Sequence, residues 1–346
     1  MTVGPILVLN AGSSSLKYAS YDRPSLKLLT QGQENLAASG QSHSAALRAA
    51  LAKIAKVSGP PSAVGHRIVH GGALNQPALI TPEIRAKIEA AAPMAPLHNP
   101  PALKVIDAVQ ALNPDLPQIV CFDTAFHAGN PPEATTFALP EHLRAKGLRR
   151  YGFHGLSYAS LVRRFTDITG QPRPNRLLAF HLGAGASIAA ILNGKGVATT
   201  MGFSPLDGLT MATRAGSLDP GLLLYLLQHE GMSAAEIDHM LNHQSGLTAL
   251  AGSPDMKSLL QSNTHEAKFA VSHFIYWAAR HAGSMIAAMQ GVDGIVFTGG
   301  IGENAEPIRA GILDRLRWTR LNPTRQVWVI PADEEGEIVQ MVSGFL

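Results

Sequence analysis

The chain has 346 residues, 46% of them hydrophobic and 15% charged, with a net charge of +3 at pH 7 and a pI near 9.0. That is enough for two domains with cores of their own, and the basicity is too mild and too evenly spread to argue for nucleic acid or an anionic membrane surface. Cys121 is the single cysteine, which excludes an intramolecular disulfide and any cysteine-built metal cluster.

In chain order, the first element is the apolar run Ile6 to Leu9, a strand that meets an Asn, a Gly, three serines and a lysine in VLNAGSSSLKY. No basic leader or long apolar segment comes before it, and no apolar run reaches membrane-spanning length without a charge or a Gly/Pro break, so a cytoplasmic protein is expected. Ser42 to Lys56 spaces its apolar residues as a helix, which Gly59-Pro60-Pro61 stops. Ile119 to Phe122 reads as a short buried strand ending at Asp123, with Cys121 an inert buried thiol. Gly129 to Pro132 is a candidate domain boundary. Ser233 and Glu236 have the spacing of a capping box. Ala267 to Met289 predicts a long helix whose Ala270, Val271, Phe274, Ala278, Met285 and Met289 face a core. Ile295 to Thr298 is a strand leading into GGIGEN, where Asn304 is placed to cap a helix with Pro307 in its first turn. Arg315 to Arg325 gathers four arginines around Trp318 and reads as a solvated face rather than a polyanion site. Strand-like and helical runs alternate throughout, as in an α/β chain.

One stretch echoes another. ILVLNAGSSSLKYASY resembles LLAFHLGAGASIAAIL (Leu177 to Leu192): each has an apolar strand, a polar residue, a Gly/Ser turn and a second strand. This predicts two related halves. With GGIGEN, three glycine-rich segments follow apolar strands. None is a Walker A loop, and GGIGEN lacks the GxGxxG spacing. Glycines let backbone N–H groups approach an anion, serine hydroxyls add donors without bulk, and Lys17 adds a full charge. The set suits a nucleotide held between two domains. His66 and His70 lie four apart, but HRIVHGG lacks the glutamate of HExxH and its glycines oppose a helix, so no zinc site is expected.

NAGSSSLK, HRIVHGG (His66 to Gly72), APLHNPP (Ala95 to Pro101), FDTAFH (Phe122 to His127), RRYGFHG (Arg149 to Gly155), MGFSPLDGL (Met201 to Leu209), ATRAGSLDP (Ala212 to Pro220) and FTGGIGEN (Phe297 to Asn304) closely resemble acetate kinases, in order from Val3 to about Glu335. The resemblance implies an α/β fold of two duplicated actin/ribonuclease H-like domains with a nucleotide cleft between them. Residues 1–127 would form the acyl-substrate domain, completed by the tail 336–346. Residues 128–335 would form the nucleotide domain and carry a homodimer interface. The implied activity is reversible, in-line, Mg²⁺- or Mn²⁺-dependent transfer of the γ-phosphoryl group of ATP to acetate, giving acetyl phosphate and ADP. Propionate as acceptor, pyrophosphate as donor, and a nucleotide-binding regulator without catalysis are the alternatives. Neither nucleic acid nor membrane is an expected partner.

The same resemblance distributes the roles. Arg67 would take the substrate carboxylate, with Val69, Leu97, Phe153 and Pro205 around the acyl chain. Arg214 and His154 would contact the phosphoryl group in flight, and Asp123 would orient an arginine or a metal-bound water rather than take a proton. A carboxylate substrate is already ionised at pH 7, so little general-base work is needed. Two anions must instead be brought together, which calls for arginines and a divalent cation. Ser13, Ser15 and Lys17 match the first phosphate loop, and His181, Leu182, Gly183, Ala184 and Gly185 the second. Asp255, Met256 and Lys257, with Gly300, Ile301, Gly302, Glu303 and Asn304, match the nucleotide-binding segments. Asn10 and Glu334 match the positions that hold magnesium, largely through water.

Three departures stand out. HLGAGAS has Ala184 where the family usually has asparagine and Ala186 where it has serine, removing two side-chain donors at about 1.5–3 kcal/mol for a lost bond to a charged group. Lys257 replaces an arginine and gives up fork geometry. After Glu334 there is room for only about three helical turns, so a weaker brace onto the first domain is expected.

Overall fold

A computed structural model describes residues 4–36 and 40–346; Val3, where the family resemblance starts, lies outside the described residues. Strands β1 (Ile6–Ala11), β2 (Ser15–Tyr21) and β3 (Leu28–Asn35) open the chain, followed by helix α1 (His43–Ser58) and β4 (Ala63–Ile68). Then come β5 (Ala78–Leu79), α2 (Pro82–Ala90), α3 (Asn99–Leu112), β6 (Gln118–Phe122) and α4 (Gly155–Thr169). A second set of strands, β7 (Arg176–Leu182), β8 (Ala186–Leu192) and β9 (Lys195–Thr199), leads into α5 (Pro220–Gln228), α6 (Ala234–His239) and α7 (Gly246–Ala251). The chain continues through α8 (Met256–Gln261), α9 (His265–Ala288), β10 (Gly294–Thr298) and α10 (Gly299–Asn304). It then runs through α11 (Glu306–Arg315) and β11 (Val327–Val329) to α12 (Glu334–Ser343).

Local chemistry sets many of these boundaries. Ser42 caps α1 by accepting from the Ala45 N–H, and Gly59 ends it at φ +79°. Ser233 and Glu236 form both bonds of a capping box. In α9 the buried side is Ala270, Phe274, Ala278, Ala282 and Ile286; Val271 and Met285, expected among them, are only half-buried. Asn304 does not cap a helix. It is the last residue of α10, its amide turns back to the Gly300 carbonyl at 2.9 Å, and Ala305 precedes α11 with no side-chain cap. GGIGEN is therefore a short helix, made possible because Glu303 reaches back to accept from the Gly299 N–H at 2.9 Å.

The chain divides into two compact units. The first takes the residues up to Ala128 together with Gly155–Ser160 and Asp333–Leu346; the second takes Gly129–His154 and Leu161–Ala332. The first holds a six-stranded sheet in the order β3-β2-β1-β4-β6-β5, and the second a five-stranded sheet in the order β11-β10-β7-β8-β9. The two have the same plan. In each, three consecutive strands form an antiparallel meander, and two later strands add in parallel beside its first strand. Even the register shift between the second and third strands recurs, at Ser20/Tyr21 and at Ala190/Ile191. The sequence echo is thus a duplicated sheet, with one adjustment. Ala11 pairs with Leu16 across four residues and Leu182 with Ala186 across three, so Ser187, not Ile188, takes the place of Lys17.

Central strand β1 is buried on both faces, which is why it reads as an unbroken apolar run. Leu7 and Leu9 pack with Leu47 and Ile54 of α1 and Val105 of α3, while Ile6 and Val8 pack with Ile338, Val339 and Val342 of α12. The short C-terminal helix is a full part of this core, contrary to the weak brace expected, because the strand beside it offers Gly65. A Cβ there would lie 2.6 Å from Ile338 Cγ2 and 2.8 Å from Val342 Cγ2, so only a glycine lets the helix sit this close. Cys121, in the same cluster, is fully buried, and burial pushes its thiol far above the usual range.

Candidate active site

Parallel strands bring their carboxyl ends to one edge of a sheet, the usual place for a site in an open α/β sheet. In the first unit Leu9 pairs with His66, so Asn10 and Arg67 leave β1 and β4 side by side. Arg67 in turn pairs with Cys121 of β6, two residues before Asp123. The Arg67 guanidinium donates to Asp123 through Nε at 3.2 Å and Nη2 at 2.7 Å, and pairs through Nη1 with Glu334 at 3.1 Å. Glu334 is the first residue of α12, so that helix delivers a carboxylate as well as an apolar face. Asp123 is 1% exposed. Burial raises its pKa, the Arg67 charge opposes the rise, and Glu334 adds to it.

The loop after β4 is fixed by its neighbours. Buried Asn99 accepts from the His70 N–H at 3.1 Å and donates to the His70 carbonyl at 2.9 Å, and Thr124 accepts from Gly71. His66 points into the core, where its Nε2 meets Gln118 at 2.8 Å and burial pushes its pKa down to about 4. It is a neutral structural histidine. Among the described residues no group of three or more His, Cys, Asp or Glu could hold a metal ion directly. Of the first glycine loop, Ser13 and Lys17 are exposed and Ser15 half-buried, with Lys17 across from Asn10 in the β1–β2 pair. The turn closes through Gly12 N–H to Ser15 O at 2.8 Å, and His43 Nε2 lies 2.9 Å from the Gly12 carbonyl oxygen. Val69 and Leu97 are half-buried in this unit.

The second unit gathers another set. His154 precedes α4 at φ +58°, a left-handed conformation that a non-glycine residue keeps only when its surroundings hold it there. Its ring stacks on His181 at 4.1 Å between centroids, and its Nδ1 lies 2.9 Å from the Ser187 hydroxyl. A Cβ on Gly185 would lie 3.2 Å from His154 Nε2 and 3.7 Å from Arg214 Nη1, so the loop glycine, the imidazole and the guanidinium converge. Among the described residues Arg214 reaches only the Pro205 carbonyl at 3.4 Å and Met211 Sδ at 4.0 Å. With no carboxylate beside it, burial alone acts on its pKa and lowers it. Its backbone is clamped by Gly246, at φ +63°, where a Cβ would run into the Met211 and Arg214 carbonyls. Phe153 is buried and Pro205 half-buried in this unit.

Beside the second glycine loop is a cavity of about 750 Å³. Gly183 and Ala184, Asp255 to Lys257, and Gly300, Ile301 and Asn304 line it, three separate stretches of chain brought to one place. Gly302 and Glu303 do not line it. Gly302 is buried, and Glu303 accepts from the Gly299 and Ala332 N–H groups, bracing α10 from behind. The Asp255 carboxylate caps α8 by accepting from Lys257 and Ser258 N–H groups, so it shapes the cavity wall. Leu260, Gln261 and Pro307 line the cavity too and carry no sequence signal. Neither does Ser187, whose hydroxyl meets His154 only because the second hairpin is one residue shorter.

The sequence matches the Acetokinase family over residues 5–339. It is 42% identical to the acetate kinase of Rhodopseudomonas palustris (strain ATCC BAA-98 / CGA009), covering 97% of each chain. It is also 42% identical to that of Rickettsia typhi, covering 82% of this chain and 79% of the relative. Among solved structures it is similar to an acetate kinase from Porphyromonas gingivalis (TM-score 0.86, 33% identity, 98% of both chains). It is similar as well to a propionate kinase from Francisella tularensis (TM-score 0.89, 33% identity, 98% of this chain and 99% of the other).

Proposed function

The chain belongs to the acetokinase family, and from that premise we propose that it transfers the γ-phosphoryl group of ATP to acetate, giving acetyl phosphate and ADP, and runs the reverse reaction. The observation that carries the mechanism is the convergence of Gly185, His154 and the carboxylate-free Arg214 at the mouth of the loop that also lines the 750 Å³ cavity. Phosphoryl transfer asks for positioning and for neutralisation of charge spread over the moving group, with little covalent chemistry from the protein. A half-buried guanidinium with no carboxylate partner among the described residues supplies that neutralisation, and His154, held by Ser187, supplies a second donor. Ser13, Ser15 and Lys17 of the first loop are assigned to phosphate on the family resemblance alone, as is the backbone of the Gly183–Gly185 loop.

Arg67 is assigned to the acetate carboxylate. Asp123 takes its Nε–H and one Nη2–H and Glu334 pairs with it from the Nη1 side, so the guanidinium is held in place with N–H groups left over for a substrate carboxylate. Asp123 therefore holds the arginine and is not needed as a base. Val69, Leu97, Phe153 and Pro205 are assigned to the acetate methyl group. One arginine with two carboxylates sums to −1, an unfavourable place for further anions unless a cation joins them. That donor set, hard oxygens with too few direct ligands to hold an ion alone, fits Mg²⁺ kept largely by water. Asn10 and Glu334 would hold it, and when bound it neutralises phosphate charge.

We further propose a homodimer in the cytoplasm. Support for the dimer is α5, none of whose residues is buried: Leu222, Leu224, Tyr225 and Leu227 are 43–54% exposed on one short helix. No helix among the described residues is long and apolar enough to cross a membrane. The activity is tested by trapping acyl phosphate with hydroxylamine in Mg²⁺, with acetate, propionate and butyrate as acceptors and ATP or pyrophosphate as donor. Product from ATP and acetate supports the reading. Product from pyrophosphate alone reassigns the Ala184 loop to another donor, and no product from any pair, in protein that binds ADP, leaves a nucleotide-binding regulator.

A further inference from the structure

The arginine-rich stretch after α11 has no part in the chemistry above, yet it forms one side of a groove. A cavity of about 880 Å³ lies among α8, α9, α11 and the turn that follows. Its floor is shallow in side chains because Gly311 brings α11 onto α9; a Cβ there would lie 2.7 Å from Ile275 Cδ1. Leu259 and Leu260 of α8 and Val271 and Ile275 of α9 give it an apolar wall. At the rim stands Trp318, 58% exposed, an indole that the fold makes no effort to cover. Opposite charges are unevenly matched: Lys268, Arg315 and Arg317 line the groove against Asp314 alone. The one acid is only loosely engaged, 3.6 Å from Arg317 with both side chains largely in solvent. Arg315 lies 5.5 Å from the centroid of Tyr276, which leaves its charge unneutralised.

An apolar wall with an exposed indole suits a flat ring, and three cations suit an anionic tail. The volume is that of a small-molecule site. We propose that this groove is a second binding site, separate from the cavity beside Gly183 and Ala184, for a nucleoside phosphate whose base packs against Trp318 and the α8–α9 wall. Its phosphates take Lys268, Arg315 and Arg317. The two cavities share only Leu260, and α8, six residues long, forms the wall between them.

Equilibrium dialysis of ADP against the full chain, wild type and Lys268→Ala/Arg317→Ala, tests this. Both replaced residues are exposed and outside the catalytic machinery, so acyl-phosphate formation serves as the folding control. The expected result is two ADP per wild-type chain and one per variant chain. One per chain in both proteins, or two in both, overturns the proposal. One in the wild type and none in the variant keeps this site and removes instead the assignment of nucleotide to the cavity beside Gly183.

Discussion

Gly65→Ala should destabilise the first unit through a single methyl group. The new carbon would sit 2.6 Å from Ile338 Cγ2 and 2.8 Å from Val342 Cγ2, whereas carbon atoms settle at about 3.5–4.0 Å. Both obstructing methyls belong to β-branched side chains in a helix, where one rotamer dominates, so neither can swing aside at little cost. Helix α12 must therefore back off by about 1 Å, at about 1–3 kcal/mol for an overpacked core. With a urea slope of about 2 kcal/mol/M, the midpoint falls by about 0.5–1.5 M. Ile338→Ala alone empties a site that is fully buried and costs about 2–5 kcal/mol. Combined with Gly65→Ala, the added methyl occupies part of that space, and the double variant should be at least about 1 kcal/mol more stable than the sum of the single effects requires. Urea titrations of the four proteins decide it. Additive losses, or a neutral Gly65→Ala, would refute the claim that glycine here exists for the helix.

The histidine on the next residue gives a pH signature. Its pKa in the fold is about 4 against an ordinary 6.5, so below pH 6.5 the unfolded chain takes up a proton that the native chain refuses. Stability is therefore complete above that pH and is lost as pH falls toward 4, by about 3 kcal/mol in all; His66→Gln should remove that part of the slope in urea titrations from pH 8 to 4.5. Arg67→Met leaves Asp123 and Glu334 facing each other without a counter-charge and should cost about 3–5 kcal/mol, read as a lowered urea midpoint, while Arg67→Lys keeps part of the stability but raises the KM for acetate. Ser187→Ala removes the bond to His154, worth about 1 kcal/mol, and should lower kcat roughly fivefold at unchanged acetate KM, with Ser187→Thr restoring it. Ala184→Asn, returning a donor to the loop, should tighten ATP by about 10- to 100-fold in a KM measurement.

Much of this was legible along the chain because it is local. The apolar run of β1, the Ser42 cap, the capping box at Ser233 and the echo between Ile6 and Leu177 all depend on neighbours a few residues away. The duplication was visible as an echo, but the one-residue difference between the hairpins was not. Sequence similarity aligned Ile188 with Lys17, and only strand register shows that Ser187 stands there. Asn304 was misjudged because a cap was inferred from residue type, while Glu303 decides the geometry by bonding to Gly299 and to Ala332. The family resemblance named both Arg67 and Glu334, but nothing in either segment announces that they touch. The pair joins residues 267 positions apart, and such contacts follow from tertiary packing, not from local pattern.

The placement of α12 also has a consequence for how the protein comes into being. Residues from Asp333 onward belong to the same unit as those up to Ala128, and all of the second unit is translated between them. At about 5–20 residues per second, a nascent first unit waits some tens of seconds with the Ile6, Val8 and Ile119 face of its sheet uncovered and Arg67 without Glu334. During that interval it is a natural client for a chaperone that shields apolar strands. A product cut short before α12 would keep that sheet face open and leave Arg67 with Asp123 as its one acidic partner among the described residues, so the core and the carboxylate-binding arginine are completed by the same late segment.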